Sequence, residues 1–161
     1  MISTGNYLKT VLGTVQAMGD KAISSDGMFV PVGYEDMRLL CKQFPQPVLS
    51  SNGEIPIPGP LGTETFQSQQ AKINHQGQIA FYETEDGHVQ NFIRSLQANG
   101  GRFDAAIYHG TMEQYKRGWR ITDCFIQFED VDRDWENRSQ VILLSGTIFF
   151  HYTGDDIPGN I

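Results

Sequence analysis

The chain has 161 residues and a formal net charge of −7, from 12 Lys and Arg against 19 Asp and Glu. That length buries the core of one domain and no shift in composition divides it, so a single domain over residues 1–161 is expected. The acidic balance disfavours tight nucleic-acid binding, because a phosphate-gripping surface would need a local cationic cluster. No stretch approaches the roughly 18 consecutive apolar residues of a membrane span, and the start MISTGNYLKTVLGTV lacks the regions of a secretory signal peptide. A soluble chain made in the cytoplasm, without membrane insertion, is the expectation.

Residues 1–27 are rich in Gly, Ser and Thr, with a short apolar pattern at Tyr7, Leu8, Val11, Leu12 and Val15 that suits a short helix or an arm. MFVPVGYEDMRLLCKQF, residues 28–44, reads as two short strands interrupted by Pro31 and Gly33. Residues 45–64, PQPVLSSNGEIPIPGPLGTE, hold Pro45, Pro47, Pro56, Pro58 and Pro60, five of the seven prolines. So many missing donors predict a protruding loop whose interior joins no ladder. A floppy connector is the plain alternative, but Ile55, Ile57 and Leu61 favour a loop that docks on something.

Residues 65–73 and 78–84 read as a hairpin turning about Asn74 to Gly77, where Asn and Gly supply the turn. The segment ETFQSQQAKINHQGQ carries Gln67, Gln69, Gln70, Gln76 and Gln78, an unusual amount of uncharged polar surface for a strand. Val89, Phe92, Ile93 and Leu96 then fall at i, i+3, i+4 and i+7, one face of a helix over about 86–99. Asp86 is the candidate cap, and Gly100 with Gly101 the stop.

After the helix the chain reads as strand. In RGWRITDCFIQF the apolar parity changes from Trp119 and Ile121 to Cys124, Ile126 and Phe128, which implies a bulge near Asp123. The last strand, 140–152, puts Ile142, Leu144, Gly146, Ile148, Phe150 and Tyr152 on one face. Its other face, Val141, Leu143, Ser145, Thr147, Phe149 and His151, is unusually apolar for a surface. The fold class is mainly β: a two-sheet sandwich or barrel with one flanking helix.

The motifs of catalysis are absent. Asp130, Asp132 and Asp134 imitate the opening of a calcium loop, but the sixth position is Trp135 where Gly is needed and the twelfth is Val141 where Glu is needed. His75, His88, His109 and His151 have no metal-ligand spacing, and there is no GxSxG elbow, phosphate loop or GxGxxG. Cys41 and Cys124, among apolar neighbours, read as buried and reduced. Asn137-Arg138-Ser139 matches a glycosylation acceptor only weakly. Neither enzyme activity, metal nor cofactor is expected.

The order of elements, with the helix opening in ETEDGHVQNFI and the strands ending in WRITDCFIQFEDVDRDWENRSQVILLSGTIFFHYTGD, resembles the tail tube proteins of contractile-tailed bacteriophages. That fold is shared with the tube-forming haemolysin-coregulated protein of type VI secretion. The resemblance covers roughly residues 28–154. It rests on the strand-to-helix junction 81–92, the acidic segment ending in Trp135 and Glu136, and the final strand closing on His151 and Tyr152.

What it implies is a homohexameric ring, stacked into a hollow tube that conducts DNA inside a contractile sheath. The implied partners are further copies, a tail sheath protein, baseplate and terminator proteins, and a tape measure protein and transiting DNA in the lumen. The implied location is the virion tail, assembled in the host bacterial cytoplasm. Ile55, Pro56, Ile57, Pro58 and Leu61 are then candidates for contact between rings. Gln67, Gln69, Gln70 and Lys72 are candidates for lining the lumen, since a wet wall without fixed cations lets a polyanion slide. A glutamine-coated solvated strand is the plainer reading. A type VI tube protein, a baseplate tube initiator and a ligand-binding β-barrel are the alternatives.

Overall fold

The computed structural model describes residues 4–161. The fold is mainly β with two helices. The elements are α1 (Gly5–Ala17), β1 (Met28–Pro31), β2 (Cys41–Gln43), β3 (Glu54–Pro58), β4 (Glu64–Ser68), β5 (Asn74–Tyr82), α2 (His88–Ala98), β6 (Phe103–Gly110), β7 (Tyr115–Phe128), β8 (Leu143–His151) and β9 (Asp156–Pro158). An antiparallel sheet runs β1-β6-β7-β8-β5-β2, with β9 added to β7, while β3 and β4 form a separate two-stranded sheet. The large sheet curls until its ends approach: the ring of Phe29 on β1 lies 6.3 Å from that of Phe44, just beyond β2. The sheet is nearly closed.

Alternation builds the interior. Along β8, Leu144, Gly146, Ile148 and Phe150 are buried while Leu143, Ser145, Thr147 and Phe149 are half-buried. The inward faces of the other strands contribute Phe29, Ile79, Phe81, Ala105, Ile107 and Ile121. The parity change on β7 is a bulge, where the register to both neighbouring strands shifts around Asp123. Asp123 has φ 54°, a left-handed conformation unusual for a residue with a side chain. Its N–H donates to the Asp104 carboxylate at 3.3 Å, which holds the kink.

The helix α2 covers one end of this core. Val89, Phe92 and Leu96 are buried and Ile93 is half-buried against the same cluster. Phe92 meets Tyr34, Phe81 and Phe103 at ring-centre distances of 5.0, 6.1 and 6.1 Å. Asp86 is not the cap. Glu83 reaches forward instead, its carboxylate accepting from the N–H groups of Val89 and Gln90, both at 3.1 Å, and the Thr84 hydroxyl accepts from His88 N–H at 3.2 Å. Gly87, at the cap position, is left-handed and has no side chain to cap with. Gly101 ends the helix, donating to the Leu96 carbonyl at 2.6 Å.

Two expectations about strands are corrected. Residues 65–73 do not form a hairpin with 78–84: β4 pairs with β3, and β5 runs unbroken from Asn74 through Gly77 between β8 and β2. Gly77 serves close approach and not a turn, since a Cβ there would stand 2.5 Å from Cβ of Pro45. Residues 45–64 do join a ladder, because Pro56 and Pro58 lie two apart on β3. An antiparallel strand offers every second N–H to its neighbour, so both prolines fall where no donor is required.

Candidate assembly surface

The β3–β4 hairpin is an arm. Every residue of both strands is exposed, as is the connecting turn. At its tip Leu61 is fully solvated, at 103% relative exposure, and holds φ 57° and ψ 34°. An apolar residue kept both in water and in left-handed backbone carries two costs that the isolated chain does nothing to offset. Behind the tip, Ile55 and Ile57 are exposed, and Phe66 on β4 is 74% exposed.

Cross-strand register sorts the arm into faces. Ile55 stands opposite Gln67 and Ile57 opposite Thr65, so these four share one face, while Pro56, Pro58, Phe66 and Glu64 share the other. Gln67, Gln69, Gln70 and Lys72 line one shallow groove with Ile55 and Ile73. The residues expected between rings and those expected along the lumen thus meet on a single arm. Gln69 is partly committed within it, donating from Nε2 to the Glu54 carbonyl at 3.3 Å.

A second surface lies on the outer face of the large sheet. Gln76, Gln78, Ala80 and Tyr82 of β5 stand beside Phe149, Thr147, Ser145 and Leu143 of β8, and Phe125 and Gln127 of β7 complete two of the rows. Phe125 and Phe149 stack, with ring centres 5.0 Å apart. The side chains that the three strands themselves give this band are amides, hydroxyls and aromatic rings, while Arg102 lies over the Phe125 ring and Lys42 over the Tyr82 ring, each 5.7 Å from the ring centre. At its margin Asp123 pairs with Arg102 at 3.6 Å and faces His151 at 3.5 Å. The sequence placed Gln76 and Gln78 in a turn and after it, and so missed the row of Gln76 with Phe149 and Phe125 and that of Gln78 with Thr147 and Gln127; alternation along β8 was the available signal.

The remaining groups with chemical potential are quiet. Burial pushes the Cys41 thiol up to about 12. Burial, with Asp104 and Asp123 adding to it, raises the Cys124 thiol further still. Both stay protonated and are poor nucleophiles. Asp130, Asp132 and Asp134 lie on an exposed loop, and among the described residues no group of three or more His, Cys, Asp or Glu is placed to hold a metal. Trp135 on that loop is almost wholly exposed.

No family model and no curated protein matches the chain. Solved structures do. A chain of the PVC sheath–tube complex of an extracellular contractile injection system, in its extended state, aligns with a TM-score of 0.54 at 13% identity, over 85% of this chain and 92% of that one. The chain has a tail-tube-like fold. The tube-terminating cap of the anti-feeding prophage aligns with a TM-score of 0.54 at 10% identity, over 81% of this chain and 87% of the cap chain. A chain of the anti-feeding prophage baseplate aligns at 0.53 and 10%, over 89% of this chain and 100% of its own length. The likeness in fold thus spans 81% to 89% of this chain, at 10% to 13% identity.

Proposed function

We propose that the chain is a structural, non-catalytic subunit of a contractile-tail-type particle, in which copies close into hexameric rings and the rings stack into a hollow conduit. The observation that carries this reading is the arm: a ribbon exposed on both faces, tipped by Leu61 in left-handed backbone, attached to a fold otherwise known in tube, terminator and baseplate components. In this reading Ile55, Pro56, Ile57, Pro58 and Leu61 are covered by the next ring. Two prolines stiffen the strand and limit the entropy lost on docking. Sheath, terminator and baseplate proteins are the partners along and at the ends of such a tube, and the virion or injection-particle tail is its location.

The band on β5, β8 and β7 forms the conduit wall. In a second reading Gln67, Gln69, Gln70 and Lys72, which share one groove on the arm, line the conduit instead. Amides stay hydrated and themselves give a passing polyanion such as DNA no positive charge to grip, and a tape measure protein occupies the same lumen before it. Replacing residues 53–61 by a Gly and Ser linker tests the reading. Native mass spectrometry is expected to show rings, and electron microscopy to show no long tubes. Normal tubes from that variant, or a wild-type protein that stays monomeric at high concentration, would defeat it.

A further inference from the structure

The two edges of the arm are not equivalent. In an antiparallel pair, residues alternate between exchanging both backbone hydrogen bonds with the partner and turning both groups away. Here the inward residues carry odd numbers: Gln69 N–H donates to the Gly53 carbonyl at 3.0 Å, and Gly59 N–H donates to the Thr63 carbonyl at 2.6 Å. Pro56 and Pro58, opposite Phe66 and Glu64, lie on the outward parity. The outer edge of β3 therefore presents Glu54, Pro56 and Pro58. Two of these have no N–H, and the Glu54 carbonyl already accepts from Gln69 Nε2. The outer edge of β4 presents Glu64, Phe66 and Ser68, all exposed and each with both an N–H and a C=O directed away from β3.

One edge of the ribbon is thus blocked and the other is open. A two-stranded ribbon is at best marginal by itself in water, and an open edge is a template for a further strand. The one-sided block also selects the occupant. If both edges were open, arms would propagate into an unlimited sheet. With β3 closed, each arm accepts one strand and transmits none, which fixes a one-to-one stoichiometry between copies, as a closed assembly of identical subunits requires.

We propose that β4 pairs through its outer edge with an extended strand of a second copy of this chain, a β-addition that Pro56 and Pro58 forbid on β3. This rests on the self-assembly reading above and names the contact that the arm makes. Side-chain burial by Ile55, Ile57 and Leu61 supplies area at the same junction, while the backbone of β4 supplies register.

Hydrogen exchange at single amides, compared between dilute and assembled protein, reads the edge directly. The amides of Glu64, Phe66 and Ser68 are expected to exchange fast in the monomer and to slow by about a hundredfold or more on assembly. Those of Thr65 and Gln67 are slowed by the ladder before assembly. In parallel, Phe66→Pro removes an outward N–H opposite Pro56 and leaves the ladder of the arm in place, whereas Phe66→Leu keeps that N–H. The proline variant is expected to raise the concentration needed for assembly by about tenfold relative to the leucine variant, with an unchanged thermal midpoint. Assembly in which the three outward amides stay fast, or in which the two variants behave alike, overturns the edge pairing and leaves self-assembly standing. A wild-type chain that never assembles overturns both.

Discussion

Phe92 shows how much a single side chain holds here. It is buried between Tyr34, Phe81 and Phe103, joining α2 to three separate segments of the chain. Its truncation leaves a cavity that rigid strands cannot close, so Phe92→Ala is expected to cost about 3 to 5 kcal/mol in chemical denaturation. A loss below about 1 kcal/mol would mean that the helix is dispensable to the core. His75 is one residue through which pH acts. Its ring lies flat on Phe150, with centres 5.5 Å apart, and burial lowers its pKa below the ordinary value of 6.5, against a smaller opposing effect of the hydrogen bond to the Lys72 carbonyl. The unfolded chain therefore binds a proton before the folded one does. Stability from this site is present above about pH 6.5 and falls as pH drops through the folded pKa. An NMR titration of the imidazole is expected to show a midpoint below 6.5, and His75→Gln to flatten the pH dependence of unfolding near it.

Among the elements, α2 depends on Glu83, whose carboxylate accepts from Thr84, Val89 and Gln90 N–H groups at 2.9, 3.1 and 3.1 Å. Glu83→Ala strips these at once and is expected to cost about 1 to 2 kcal/mol, measured by thermal or chemical unfolding. Gly77 governs how the chain enters the arm. Pro45 packs where its Cβ would be, so Gly77→Ala is expected to cost about 1 to 3 kcal/mol by forcing the 45–47 segment off β5. That glycine also shows what the sequence conceals. Period-four burial on α2 and period-two burial on β8 could be read directly, as could the bulge at Asp123, because each leaves a local hydrophobic pattern. The arm could not, because its pairing is decided by backbone parity: prolines that ordinarily end a strand are harmless two residues apart, and Asn74 with Gly77 imitates a turn that a distant proline explains. The resemblance to tail tube proteins found the fold despite these misplaced strands, since it drew on the order of segments more than on their partners.

The proposed particle exposes the same band in every copy, so a change too small to alter one subunit is multiplied around the proposed ring. Gln78 sits in the middle of that band beside Thr147, which in turn neighbours Gln127, and it is exposed in the isolated chain. Gln78→Lys lengthens the side chain and adds one cation per copy without removing any group from the core. Assembly and unfolding midpoints are expected to be unchanged. A polyanion passing through the conduit would then meet a ring of fixed cations, and each phosphate contact releases a counterion, so its grip is strongest at low salt. DNA release from assembled particles is expected to slow with Gln78→Lys, and the slowing to fade as ionic strength rises. Gln67→Lys gives the contrast, because Gln67 sits on the arm opposite Ile55, where a buried junction would be disturbed before a lumen is. Gln67→Lys is expected to weaken stacking and Gln78→Lys to spare it. If instead Gln78→Lys leaves release unchanged at every salt concentration while Gln67→Lys slows it with stacking intact, the arm lines the conduit and the face of β5, β8 and β7 is turned outward.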